Sequence, residues 1–446
     1  MKLELLPLLI IFPVLFLVSG LASPPSSNPV VPGLEQDIMK ETPRAVFVAF
    51  MGGFKTPDRS GSWGVWNNPG KDSIRHQPNH LDTDGRRDIS SCFYPAIGPY
   101  DMSDPDVAEY HCQLLKMAGV DGISFNIGPY QTDPWRQKSM LLFVDAMQRY
   151  GLKGIIRYEN KFYYKTYPDP QKCAEASYFD MDAWLRCLEP VQYRVADRPI
   201  FMLFTFKLTP EQLSAWKEKY SGNAKPFIIT VNTNDSYRSA VDGKFGWTGD
   251  HPEFLTDHSP YRSYVTAPMA LSNSREDLRK ANEMLKTQRI SFYMVGVSPG
   301  FDDIGCWGWG EGPRKVERDD GNVYRSRWDI AVNSGLPVVL IPTWNDWQEG
   351  TSIEPSVEYG NRYLELTRDG ISHFKGRPAA AGNLMMPVWI YKIRKSTSDP
   401  LAIAAMSSAS NLIAEGKYGE AEAIVKPWAE RLKLTNLQVW NSPLIK

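Results

Sequence analysis

Short apolar runs alternate along this chain with longer stretches whose apolar residues recur three or four positions apart. The runs are Ala45–Met51, Gly122–Ile127, Gly154–Tyr158, Pro199–Phe206, Pro226–Val231, Ser291–Val297 and Pro337–Pro342. Unbroken apolarity over so few residues marks a strand buried on both faces, as in a parallel sheet. An eighth strand is placed near Lys244–Thr248. Between the runs, Pro105–Ala118, Trp135–Tyr150, Pro210–Tyr220, Ser274–Thr287 and Arg325–Ser334 carry helical spacing. In the first of these, Val107, Tyr110, Leu114 and Met117 form one stripe. Asp104 before Pro105 offers an N-cap followed by proline at the first helical position. Strands alternating with helices predict an α/β fold, a (β/α)8 TIM barrel spanning 45–376. A doubly wound open sheet is the alternative, but Gly52-Gly53 after the first strand lacks the Gly-x-Gly-x-x-Gly phosphate loop.

After Gly376 the pattern changes. Val388–Ile393 reads as one more strand. Leu401–Glu415 and Tyr418–Leu432 read as a helical hairpin turned at Gly416-Lys417. Residues 377–446 are therefore expected to form a small C-terminal appendage. At the other end, 1–22 reads as an export signal peptide. Lys2 gives its positive end, Leu5–Val18 its apolar region, and Gly20-Leu21-Ala22 a small-x-small cleavage site. That run is too short to favour a membrane span. The Ser/Pro-rich 23–44 reads as a linker. The expectation is a secreted or periplasmic protein with no stable membrane insertion once the signal is removed.

Composition narrows the partners. The 446 residues carry a formal net charge of −1, which argues against nucleic acid. With 42% hydrophobic and 23% charged residues the chain is an ordinary globular enzyme by composition, and a monomer is expected. The five cysteines are an odd number with no Cys-x-x-Cys pair, so at least one thiol stays free, and Cys173 and Cys187 are expected not to bridge. His76 and His80 have helical ligand spacing, but Pro78 lies between them and a helix is not expected there. No metal and no cofactor is expected.

The chemistry concentrates after the last strand, in Thr343-Trp344-Asn345-Asp346-Trp347-Gln348-Glu349-Gly350-Thr351. In a parallel barrel, the loop after a strand's C-terminal end is where catalysis sits. Asp346 and Glu349 form a carboxylate pair, which is what glycosidic-bond hydrolysis needs: one acid for the leaving oxygen, one group for the nucleophile. Glu349 is expected to be the protonated acid and Asp346 to stay ionised. Flat indoles stack on sugar rings, so Trp344 and Trp347 are candidate platforms, with Asn345 beside them. Trp63, Trp66, Trp135, Trp307 and Trp309 also fall in loop-like segments, as either platforms or core plugs. Tyr158-Glu159 ends the third strand and Asn126 lies at the end of the second, so Tyr158, Glu159 and Asn126 are candidate substrate contacts. A buried ion pair of Glu159 with Arg157 is the bland alternative. Asp302 is a candidate sugar ligand whose alternative role is to cap its own turn. Glu354 before Pro355 reads as the cap of a helix starting near Ser356.

Several of these segments resemble glycoside hydrolase family 99, the endo-α-mannosidases and endo-α-mannanases. They are Tyr94–Asp106, Lys116–Gly122, Ser298–Asp303 and Trp344–Glu354. The Trp-Asn-Asp-aromatic-x-Glu core is also similar to family 71, the α-1,3-glucanases. The resemblance covers roughly Ala45–Thr367. It implies a (β/α)8 barrel acting on internal α-linkages of an oligosaccharide or polysaccharide without a metal. The family 99 pair is Glu-x-x-Glu and maps onto Asp346 and Glu349. Family 99 works with retention, the first carboxylate acting on the sugar's own 2-hydroxyl; family 71 uses Asp-x-x-Glu, as here, with inversion. Asp346 is one methylene shorter than Glu, a retreat of about 1.5 Å. That leaves room for a water and favours inversion. Asn126-Ile127 also departs from the Asp-aromatic dipeptide of family 99-like chains. The function expected is thus an exported, endo-acting α-glycoside hydrolase. The competing readings are a glycan-binding barrel that does not cleave and an enzyme that remodels surface polysaccharide.

Overall fold

A computed structural model describes residues 34–67, 76–130, 133–161, 163–231, 234–248 and 261–445. The expected signal peptide and the first part of the expected linker lie outside them. Eight parallel strands form a closed barrel: β1 (Ala45–Met51), β2 (Gly122–Ile127), β3 (Lys153–Tyr158), β4 (Arg198–Leu203), β5 (Phe227–Thr230), β6 (Gly243–Phe245), β7 (Phe292–Gly296) and β8 (Val338–Ile341). β1 lies between β2 and β8, and the ring closes where β3 pairs with β4. Closure removes the sheet edges that would otherwise need covering. β6 fills the place assigned near Lys244.

β1 shows why these runs carry no polar alternation. Successive side chains point to opposite faces of a strand. Phe47 and Ala49 join the cluster inside the barrel with Ile155, Met202, Ile229, Phe245, Phe292, Met294 and Leu340. Val46, Val48 and Phe50 join the larger cluster under the helices. Both faces are dry, so both must be apolar. The helices fall where the periodicity put them. Pro105–Ala118 is capped by Asp104, whose side chain accepts from the Asp106 N–H, and it ends at Gly119 in the left-handed conformation.

Two expectations are corrected. Val388–Ile393 is not a strand but the middle of the helix Met386–Ser396. Its residues from Met386 to Ile393 are all buried, because the helix is enclosed by Pro105–Ala118 and by the C-terminal pair Pro400–Ala414 and Tyr418–Arg431. A short run buried all round shows no period that separates helix from strand. The expected linker holds the helix Leu34–Glu41. All five cysteines are free thiols. Cys173 and Cys187 lie on one helix, Pro170–Cys187, which at 1.5 Å per residue sets them about 21 Å apart. No helix among the described residues is long and apolar enough to cross a membrane.

Candidate active site

A cavity of about 800 Å³ opens at the C-terminal end of the barrel. Asp346, Glu349, Glu159 and Asn126 all line it, together with Arg157, Phe204, Trp247, Gln348 and Trp309.

The loop after β8 is held rigidly. The Trp344 N–H donates to the Ala49 carbonyl at 2.7 Å, continuing the strand pairing. The Ile353 and Glu354 N–H groups both return to the Trp344 carbonyl, at 3.0 and 2.9 Å. Thr343 Oγ1 lies 2.7 Å from Thr351 Oγ1 and accepts from the Asp346 N–H at 2.9 Å. Asn345 is fully buried: its Oδ1 accepts from the Met51 N–H at 2.7 Å, and its Nδ2 donates to the Met51 carbonyl at 3.1 Å. Asp346 Oδ1 in turn accepts from the Glu349 N–H at 3.0 Å, which fixes one candidate carboxyl by the backbone of the other.

The two tryptophans are not platforms. Trp344 and Trp347 are wholly buried beneath the loop. Trp344 Nε1 donates to His111 Nδ1 at 2.9 Å, and burial holds that imidazole well below its usual range, so it is neutral. Trp347 Nε1 donates to the Tyr100 hydroxyl at 3.2 Å, which donates to Glu354 Oε2 at 2.9 Å. Glu354 caps no helix. It is buried, and desolvation pushes its carboxyl up to about 8. Tyr158 also turns away from the cavity, its hydroxyl donating to Asp180 at 3.0 Å. Asp302 accepts from Tyr261 and caps the turn after it, the second role weighed for it, and does not line the cavity. Trp63 and Trp66 are core plugs, and His76 Nδ1 lies 2.7 Å from Asp88. Trp309, 38% exposed, does line the cavity, and its Nε1 donates to Glu349 Oε1 at 3.0 Å. Trp307, Gly308 and Trp309 are consecutive residues in the left-handed conformation, and this turn brings the indole over the carboxylate.

Electrostatics set the pair's protonation. Burial and the neighbouring Glu349 charge push Asp346 up to about 8, against the Glu349 N–H bond and Arg157, which act the other way. Burial also raises Glu349, opposed by the Trp309 donor. The two titrate as a pair. Burial raises both carboxyls, so the free protein favours one proton shared between Asp346 and Glu349 over two charges side by side. Glu159 is paired not with Arg157 but with Lys161, at 2.6 Å. Arg157, fully buried, lies under Trp247 with its guanidinium carbon 4.4 Å from the ring centre. Its Nε and Nη1 have no hydrogen-bond partner among the described residues, and burial lowers it to about 10. Arg157, Trp247 and Lys161 were not picked out as site residues. Arg157 and Lys161 flank Glu159 in sequence, and that adjacency was the available signal.

Comparison with known proteins decides the family, because the model of glycosyl hydrolase family 99 matches residues 43–367. The chain belongs to glycosyl hydrolase family 99. The family 99 match begins just before β1 and ends within the helix Arg362–Lys375, so it takes in the whole barrel. A glycoprotein endo-α-1,2-mannosidase-like protein of Mus musculus is 24% identical over 310 residues, 64% of this chain and 66% of its own length. The glycoprotein endo-α-1,2-mannosidase of Mus musculus is 24% identical over 358 residues, 71% of each chain. The chain thus spans about two thirds of the length of the curated relatives it matches. A solved family 99 endo-α-mannosidase from Bacteroides thetaiotaomicron shares the fold with a TM-score of 0.57 at 21% identity, covering 74% of this chain and 97% of that one.

Proposed function

We propose that this family 99 protein is an exported endo-acting glycoside hydrolase that cleaves internal α-linkages of mannose-type glycans, with Asp346 and Glu349 as its acid/base pair. One observation carries the reading: the pair lies on the floor of a glycan-sized cavity at the C-terminal mouth of a barrel, where buried carboxyls hold a proton at neutral pH. One carboxyl protonates the leaving oxygen. The other, ionised near the Arg157 charge, takes the proton of the attacking group. Glu159 and Asn126 hold sugar hydroxyls. The mannose assignment rests on the names of the relatives, and export on the Met1–Ala22 segment.

The test is turnover of α-mannan and α-1,3-glucan by the purified protein and two variants. Glu349→Gln should lower turnover by about 10²-fold or more, the usual worth of a positioned acid/base, with glycan binding retained. Asp346→Asn should be comparably damaging. An activated aryl leaving group needs no acid, so it should rescue only the variant that has lost the acid. The shorter Asp346 favours inversion, read by NMR of the first-formed anomer. Unchanged turnover in both variants would end the assignment. Binding without cleavage by the wild type would make the barrel a glycan-binding module.

A further inference from the structure

The walls of the cavity carry a charge pattern that cleavage of a neutral glycan does not use. Its carboxylates, Glu159, Asp346 and Glu349, are on the floor. Besides the buried Arg157, four cations line it: Arg136 in the first turn of the helix Pro134–Tyr150, Lys161 just past β3, and Arg314 and Lys315 on a short strand at the rim, Arg314–Val316. Their side chains are 24, 47, 29 and 36% exposed, open enough to meet a ligand.

Each of these four is tethered from behind by a carboxylate. Arg136 pairs with Asp133 at 3.3 Å, Lys161 with Glu159 at 2.6 Å, Arg314 with Asp303 at 2.6 Å and Lys315 with Asp302 at 3.4 Å. Asp133, Asp302 and Asp303 do not line the cavity, so the cations face inward and these three tethers do not. Asp303 is completely buried and accepts from both the backbone N–H and the Nε of Arg314, which fixes where that guanidinium stands. Ordinary surface ion pairs would scatter. These four come from three separate segments and converge on one concave site, in a chain whose net charge is −1. Cations outnumber carboxylates five to three in the lining, and an excess of one charge in a cleft concentrates ligands of the other sign.

We infer that the glycan bound here carries acidic groups, carboxylate or phosphate, on sugars flanking the one held by Asp346 and Glu349. The guanidinium of Arg314 can grip such a group with two parallel hydrogen bonds, and the lysines add point charge. The inference rests on the glycosidase reading and narrows its substrate.

The test uses α-mannan oligosaccharides in three forms: untreated, oxidised at C6 to carboxylates, and phosphate-bearing. Binding to the Glu349→Gln protein is measured by calorimetry at about 0.02 M and about 0.5 M salt. At low salt one acidic form should bind about ten-fold or more tighter than the untreated form, and high salt should erase most of the difference. Which acidic form is preferred identifies the group. Added to that protein, Arg314→Met and Lys315→Met should each cost the acidic form several-fold more affinity than the untreated form. Arg279→Met, which removes an equal charge from an exposed helix, should change neither. Equal binding of the three forms, no binding, or a preference surviving in both rim variants overturns the inference. Wild-type cleavage of untreated glycan with no acidic preference also overturns it, and leaves the glycosidase reading standing. Salt-sensitive binding of an acidic form with no cleavage of any form does the reverse.

Discussion

Glu349 keeps one strong donor in the free protein, the Trp309 indole N–H at 3.0 Å. That bond favours the ionised carboxylate and opposes the rise caused by burial. Trp309→Phe keeps the ring and deletes the donor, so the carboxyl should rise further, and the ionisation limb of the kcat/KM profile should move to higher pH. Beneath the loop, Glu354 and Asp346 should make stability depend on pH in an unusual direction. Both are pushed up to about 8, from ordinary values of 4.5 and 3.8. Between the ordinary and the raised value the folded chain holds more protons than the unfolded one, so stability falls as pH rises through that window and levels off above it. Urea unfolding at pH 5 and pH 8 should show the loss, and Glu354→Gln, which cannot ionise, should reduce it to the part due to Asp346. Residue roles were legible in part. Asp346, Glu349, Glu159 and Asn126 could be placed at the cavity because each lies at or just past the C-terminal end of a strand, and that end points at the mouth. Trp344, Trp347, Asn345 and Tyr158 share that neighbourhood in sequence, yet point into the core. Which side of a loop a residue faces is set by partners such as His111 and Tyr100, more than two hundred residues away along the chain. Arg314 gives no local signal at all, since its position depends on Asp303 and a three-stranded rim sheet formed with Ser263–Val265 and Phe301–Asp302.

The loop after β8 works as an element because its turn can be tight. Gly350 has φ 57°, and a Cβ there would run into the Asp302 carbonyl and lie 2.9 Å from the Cys92 sulfur. Its neighbour Glu349 accepts the Asp302 N–H at 2.9 Å through its backbone carbonyl, so the loop is stitched to the rim at this point. Gly350→Ala should therefore cost about 1–3 kcal/mol of stability, through left-handed strain and displacement of the Asp302 turn. Turnover should fall with it; thermal unfolding and an activity assay check both. Elements with a buried face and a wet face were readable from sequence, as Pro134–Tyr150 shows with Met140, Phe143, Met147 and Tyr150 buried and Leu141, Asp145 and Gln148 exposed. Pro105–Ala118, buried on nearly every side, was readable by its Asp104-Pro105 cap. Met386–Ser396 was not, because a helix wrapped on every side has lost the wet face that reveals its period.

At the scale of the molecule, the C-terminal helices complete the barrel's outer layer. Arg394 pairs with Asp106 at 3.0 Å and with Glu109, and Lys395 reaches Asp104 and Asp106 at 2.6 Å. A chain ending at Gly376 would take both cations from Asp106, leave Glu109 to Arg149 and Asp104 to Arg59, and uncover the apolar side of Pro105–Ala118. It should accumulate as insoluble material, checked by the soluble fraction after expression beside the full chain. The barrel itself also divides its labour unevenly along the chain. The reactive floor after β8 is one short contiguous segment bonded to itself and to β1, whereas the rim is assembled from segments scattered over much of the sequence. A change at the rim can therefore alter which ligand the cavity admits without disturbing the segment that carries Asp346 and Glu349.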